Sequence, residues 1–145
     1  PEIPPGMLMT VRKGLQFIGD GFRTIQANIW IDIALRDESR KLILSDSRYV
    51  NEAIAIKEKG GHVVVLSRPD FLNNDPNLSE AQIKPIVLFC DKYLKEGKIP
   101  PFEYLKALYG DACPDAIQYY SFYIKNDGSI ADLYSKIDKN LIPHF

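Results

Sequence analysis

Residues 42–69 read LILSDSRYVNEAIAIKEKGGHVVVLSRP, and the way this stretch is parsed decides the fold. Leu42-Ile43-Leu44 is a short apolar run of strand character, and Val63-Val64-Val65-Leu66 is a second, richer in β-branched residues. Between them Val50, Ala53, Ile54 and Ala55 fit a helix that Gly60-Gly61 would end. Strand, helix and strand in that order predict a βαβ unit, and its right-handed crossover makes the two strands parallel. In such sheets ligands bind beyond the carboxyl ends of the strands. Ser45, Asp46 and Arg48 directly follow the first strand, so they are expected to face a ligand.

Outward from this unit the pattern stays α/β. PEIPPGM at the start is Pro-rich and reads as an extended arm over residues 1–9. A helix is expected from Thr10, its N-cap, with Val11, Leu15, Ile18 and Phe22 on one face and a break near Gly19-Asp20-Gly21. Ile29, Trp30, Ile33 and Ala34 suggest another helical stripe. On the carboxyl side RPDFLNNDPNLSE is loop chemistry. KPIVLFCDKYLKEGK follows as a helix with Pro85 near its start and Gly97 at its end. PPFEYLKALYG is a further helix, with Phe102, Leu105 and Leu108 inside and Gly110 as its stop. YYSFYIK reads as a buried strand, NDG as a turn, and SIADLYSKIDKNL as a helix. That last helix opens on a Ser129–Asp132 capping box and buries Ile130, Leu133, Ile137 and Leu141. The expected fold is a single α/β domain over residues 1–145, with a small, mainly parallel sheet flanked by helices.

Composition narrows the function classes. The chain of 145 residues has 46% hydrophobic and 26% charged residues, as an ordinary globular domain does, and a net charge of −1. That balance gives no electrostatic drive toward nucleic acid or an anionic membrane, and no apolar run has the length of a membrane span. Cys90 and Cys113 read as reduced thiols of a cytosol-like compartment. With only His62 and His144, far apart in sequence, no metal-ligand spacing emerges. No nucleophile–base pair is recognisable either.

A phosphate-binding loop is the natural motif to seek in a βαβ protein. GLQFIG, residues 14–19, supplies the two glycines of GxxxxGK[ST], but Asp20-Gly21 stand where Lys and Ser or Thr are needed. No strand feeds the segment, and Asp20 would repel a phosphate. The motif is not met. Asp46 and Arg48 admit two readings: a local ion pair with a solvated guanidinium, or a phosphate contact, for which the planar fork of Arg is suited. Asn51-Glu52 at the helix start are explained by capping and the helix dipole alone.

Several blocks, taken in order, resemble the carboxyl-terminal part of the deoxynucleoside monophosphate kinases of phages and related viruses. They are TVRKGLQFIGDGFR, NIW, LILSDSRYVNEAIAIKEKGGHVVVLSRP, Ser79-Glu80 and YIKNDGSIADLYSKI. The resemblance implies a truncated P-loop kinase-like fold, with residues 84–110 as a helical insertion. It implies that Arg23, Asp46, Arg48, Asn126 and Asp127 serve the acceptor nucleotide. Arg48 would contact a phosphate, Asp46 would help set the acceptor end, and Arg23 would bind the acceptor phosphate. Asn126-Asp127 would lie near the base or shape the last helix. The family transfers the terminal phosphoryl group of ATP with Mg²⁺, but these residues carry no P-loop to cradle it, so no cofactor is expected on this chain alone. The expectation is a kinase-like domain inactive by itself, acting as a binding or structural component of an assembly. Two alternatives stay open: the completing part of an active kinase whose P-loop half lies elsewhere, with Mg²⁺ and ATP, or a nucleotide-binding domain without transfer. Expected partners are further copies or another protein at the sheet edge or the arm, and a deoxynucleoside monophosphate. The expected location is the cytoplasm, or a virion if the source is viral.

Overall fold

A computed structural model describes residues 10–36, 41–68 and 78–145. The expected arm over residues 1–9 and most of the loop after Arg68 lie outside the described residues. The chain divides into two compact units, Pro1–Leu42 and Ile43–Phe145.

The first unit holds α1 (Val11–Ile25) and α2 (Ile29–Ala34). As expected, Thr10 caps α1, its hydroxyl accepting from the Lys13 N–H at 3.2 Å. The break expected at Gly19–Gly21 does not occur, and α1 runs through it. Each glycine there costs about 1 kcal/mol relative to Ala, and the contact made by Phe22 offsets part of that cost. Its ring meets Trp30 of α2 edge-on at 5.5 Å, and the Trp30 indole N–H donates to the Gly19 carbonyl at 3.2 Å. The apolar stripe of α1 is present, yet none of its residues is buried.

The second unit holds α3 (Val50–Glu58), β1 (Val64–Ser67), α4 (Leu78–Tyr93), β2 (Gly97–Lys98), α5 (Phe102–Tyr109), β3 (Phe122–Lys125) and α6 (Ile130–Asn140). The α3 helix ends as expected. The Gly61 and Gly60 N–H groups donate back to the carbonyls of Ile56 and Lys57, with Gly60 at φ +77°. A Cβ on Gly61 would stand 2.7 Å from Ile56 Cγ2, so both glycines are required.

The parallel pair is not the one expected. Leu42–Leu44 forms no strand, and β1 pairs instead with β3, from Val64 opposite Phe122 to Ser67 opposite Lys125. Three apolar residues with no neighbouring strand cannot satisfy their backbone in a ladder. The two-residue β2 joins β3 antiparallel, giving the order β1-β3-β2 and a sheet that is mixed rather than mainly parallel. Through β2, residues 84–110, expected as a helical insertion, contribute to the sheet itself.

Aromatic and β-branched residues make β3 the central strand, and Phe122, Tyr123 and Ile124 are all buried. Tyr123 joins Val65, Ile86, Phe89, Cys90 and Leu105 in the main core. Alternation turns Phe122 and Ile124 to the opposite face. There Phe122 meets His62 at 5.7 Å and His144 at 5.2 Å, which brings together two histidines far apart in sequence.

Three helix boundaries or faces differ from expectation. The α4 helix starts at Leu78, leaving Pro85 inside it, and ends at Tyr93, while Gly97 opens β2. An interior proline costs roughly 3 kcal/mol, and the burial of Ile86, Phe89 and Cys90 on the next turn opposes that cost. In α5, Leu105 is buried but Leu108 is 57% exposed; Tyr109 turns inward instead, stacking on Tyr93 at 4.7 Å. In α6, Leu133, Ile137 and Leu141 are half-buried while Ile130 is 71% exposed. Among the described residues no helix is long and apolar enough to cross a membrane.

Candidate functional site

Asp46 and Arg48 lead into α3 rather than out of a strand. Arg48 Nε donates to Asp46 Oδ1 at 2.7 Å, with both side chains open to solvent. The local ion pair weighed from the sequence is therefore present. Behind it Glu52, only 8% exposed, accepts the N–H groups of Arg48 at 2.9 Å and Tyr49 at 3.2 Å. Gln82 of α4 takes the next one, from Val50, at 3.1 Å. These bonds satisfy backbone donors that a helix start leaves without intrahelical partners. Asn51, expected as a cap, lies inside the helix, and Glu52 does the capping.

Asn126 and Asp127 do stand beyond the carboxyl end of a parallel strand. The Asn126 N–H donates to the Ser67 carbonyl at 2.7 Å, extending the β1–β3 ladder so that Arg68 and Asn126 leave the sheet side by side. No side-chain hydrogen bond to Asn126 is present among the described residues, so its carboxamide offers one donor group and one acceptor. Asp127 is committed. Its Oδ1 accepts from Lys136 Nζ at 2.7 Å, and the same ammonium reaches Glu96 Oε1 at 3.0 Å and the Lys125 carbonyl at 2.6 Å. Glu96 Oε1 also accepts the Lys125 N–H at 2.7 Å. One lysine on α6 thus ties the turn after β3 to the chain before β2. The Ser129–Asp132 capping box forms as expected and fixes the far side of the turn.

Beneath this end of the sheet, Asp91 of α4 accepts from Ser67 Oγ at 2.8 Å and from the Tyr123 hydroxyl at 2.6 Å. Burial, reinforced by the bond to Asp91, raises the Tyr123 phenol above its usual range and keeps it a donor. Next to it the Cys90 thiol is pushed up to about 12, chiefly by burial. Cys90 and Cys113 are both free and buried, and thiols so placed are unreactive.

Arg23 belongs to the first unit, in the last turn of α1, where Asp20 lies 3.5 Å from its guanidinium. The five residues carried over by resemblance therefore fall in three places: Arg23 on α1, Asp46 with Arg48 before α3, and Asn126 with Asp127 after β3. The P-loop near-match at Gly14–Gly19 lies within α1, in helical conformation. The sequence reading missed Glu52 as a cap, Gln82, Asp91, Glu96 and Lys136. Asp91 had a signal, being the acidic residue that directly ends the apolar run of α4. Lys136 had none, because on a solvated helix one lysine looks like another.

The Asp127–Lys136 contact makes the turn acid-sensitive. The hydrogen bond from Lys136 holds the Asp127 carboxyl below its ordinary value, and the bond to Asp127 raises Lys136. A depressed carboxylate stabilises the fold above its unfolded pKa, and that contribution is lost as pH falls through the folded value. The raised lysine acts in the opposite sense, its contribution fading as pH rises through its folded value. Carbon-detected NMR of the Asp127 carboxyl should show it titrating below free aspartate, in step with loss of amide protection at Lys125. In Asp127→Asn, the acid-dependent loss of protection at Lys125 should shrink, the Glu96 carboxylate that accepts the Lys125 N–H being left in place.

These elements define a small α/β unit with a polar cluster at the carboxyl end of its parallel strands. No family model matches the sequence, and no solved structure matches it. The chain is similar to a protein of Acanthamoeba polyphaga mimivirus named "Putative deoxynucleotide monophosphate kinase", with 31% identity over 109 residues. The match takes in 60% of this chain and 56% of that protein, so the chain spans little more than half of the relative's length.

Proposed function

We propose that this chain is a kinase-like domain that binds a deoxynucleoside monophosphate and does not transfer phosphoryl groups by itself. The observation that carries this reading is the end of the β1–β3 pair, where the Asn126 N–H continues the ladder to the Ser67 carbonyl and its carboxamide makes no hydrogen bond among the described residues. Ligands of parallel sheets bind beyond the carboxyl ends of the strands, which is where Asn126 stands. A carboxamide suits the donor–acceptor edge of a base, and a guanidinium suits a phosphate. Arg48 and Asp46, as a solvent-open pair, and Arg23 of the first unit are further acceptor-side residues on this reading. The kinase name of the mimivirus relative supports the nucleotide class. Cytoplasm or virion would be the location of such a domain.

With ATP, Mg²⁺ and any deoxynucleoside monophosphate, the purified chain should form no diphosphate above background. It should bind the monophosphate weakly; Arg48→Ala should weaken binding about tenfold or more, because a hydrogen bond to a charged group contributes roughly 1.5–3 kcal/mol, and Asn126→Ala should weaken it several-fold, as an uncharged bond of about 0.5–1.5 kcal/mol does. Calorimetry that detects no binding at millimolar nucleotide removes the reading, and robust turnover overturns the claim of inactivity.

A second reading is favoured by the relative's greater length. The chain would be the acceptor half of an active kinase, with the P-loop, ATP and Mg²⁺ supplied by another segment. Turnover appearing only when a P-loop-bearing segment is added would decide for it.

A further inference from the structure

Gly128 follows Asp127 in the turn between β3 and α6, and an Asp-Gly step is among the places where a polypeptide most readily rearranges its own backbone. The nitrogen of the second residue attacks the aspartyl side-chain carbon, and glycine, lacking a Cβ, leaves that approach open. Here the nucleophile is uncommitted: the Gly128 N–H makes no hydrogen bond among the described residues. Gly128 is exposed and the Asp127 side chain is 44% exposed, so water reaches both. The fold also demands the glycine. A Cβ on residue 128 would stand 2.7 Å from Asp132 Oδ2, the oxygen that accepts the Ser129 N–H at the start of α6. The labile step and the helix cap therefore come together.

One contact opposes the reaction. Lys136 Nζ donates to Asp127 Oδ1 at 2.7 Å, while Glu96 Oε1 and the Lys125 carbonyl hold the same ammonium. An ionised carboxylate is a poor electrophile, since its charge repels the nitrogen and it has no hydroxyl to lose as water. The hydrogen bond from Lys136 favours that ionised form and holds the Asp127 carboxyl below its ordinary value.

We propose that Asp127-Gly128 is a latent isoaspartate site, and that the Lys136 ammonium holds back its rearrangement in the folded chain. The Gly128 nitrogen bonds to Cγ of the protonated Asp127 carboxyl. Its proton and the carboxyl hydroxyl leave together as water, closing a succinimide ring. Water then adds to one of the two ring carbonyls and breaks its bond to the nitrogen. Opening at the side-chain carbonyl restores aspartate, and opening at the backbone carbonyl gives isoaspartate, with no net change in mass. The isoaspartyl backbone runs through Cβ and Cγ and is one atom longer. That atom enters between the Asn126 bond to Ser67 and the cap of α6, so rearrangement loosens the turn that presents Asn126. The inference does not depend on nucleotide binding.

The test is ageing of the folded chain, and of the chain unfolded in guanidinium chloride, in warm, mildly acidic buffer made with heavy-oxygen water. Digestion after lysine releases residues 126–136 of the wild type as one peptide. Liquid chromatography separates its isoaspartyl from its aspartyl form, and each ring opening marks it with heavy oxygen. Deamidation at Asn126 is told apart because it also occurs with a change of side-chain group from amide to acid. The unfolded chain should convert several-fold faster than the folded one. Folded Lys136→Met should convert several-fold faster than folded wild type, while Lys136→Arg, which keeps the cation, should stay near the wild-type rate. Equal rates in folded wild type and folded Lys136→Met overturn the proposal, as does an unfolded chain that forms no isoaspartate at residue 127. If Lys136→Met does not fold, the wild type alone decides: a chain that rearranges as fast folded as unfolded overturns the proposal.

Discussion

Asp91→Ala is expected to remove about 2–4 kcal/mol of folding stability, because it strands two buried donors at once, each costing roughly 1–3 kcal/mol when unsatisfied. Ser67 and Tyr123 are both almost fully buried, and their hydroxyls converge on this one carboxylate. The loss should show in urea as a lower midpoint at unchanged slope. Tyr123→Phe removes one of the two donors and should cost less. Combined with Asp91→Ala it should cost less than the sum, since the second change deletes a donor already stranded. An Asp91→Ala protein within about 0.5 kcal/mol of the parent, the usual range for surface substitutions, would show that the carboxylate does not hold the two strands to α4.

Ile124→Ala should cost about 2–5 kcal/mol, the range for deleting a large aliphatic side chain from a core that cannot collapse around the void. Ile124 is fully buried on the central strand, two residues before Asn126, and is paired across the ladder with Leu66. Ile124→Val should cost only about 0.5–1.5 kcal/mol, which separates the volume effect from any demand for β-branching. If alanine and valine proved equal in thermal unfolding, the face of the sheet opposite the main core would be loosely packed.

Local signals were legible in the sequence, and long-range pairing was not. Thr10 and Ser129 as caps and Gly60-Gly61 as a stop follow from residues close to one another, and the structure has them all; of YYSFYIK, expected as a buried strand, Phe122–Lys125 forms one. Leu42–Leu44 looked like a strand because its composition is that of one. Whether such a run pairs depends on a neighbour, and composition contains no information about neighbours. The glycines of α1 and Pro85 of α4 failed as breakers for the complementary reason: the packing of Ile86–Cys90, and in part the contact of Phe22 with Trp30, opposes a propensity cost that local sequence alone would predict to break the helix. At the site, the turn after β3 was found from its own residues. Its ties to Glu96 and Lys136 come from elements thirty residues upstream and ten residues downstream, and no local pattern marks them.

The register of the sheet has a kinetic consequence. Val64 pairs with Phe122, so the longest ladder joins strands far apart in sequence, with α4, β2 and α5 strung between them. Closing so large a loop is an entropic cost met before any ladder bond repays it. Chains dominated by such distant pairings fold slowly for their size. The helices, closed by bonds four residues apart, form first and shorten the chain that separates the strands. Until β3 arrives, β1 has both edges open, and that interval is when one chain is most exposed to another.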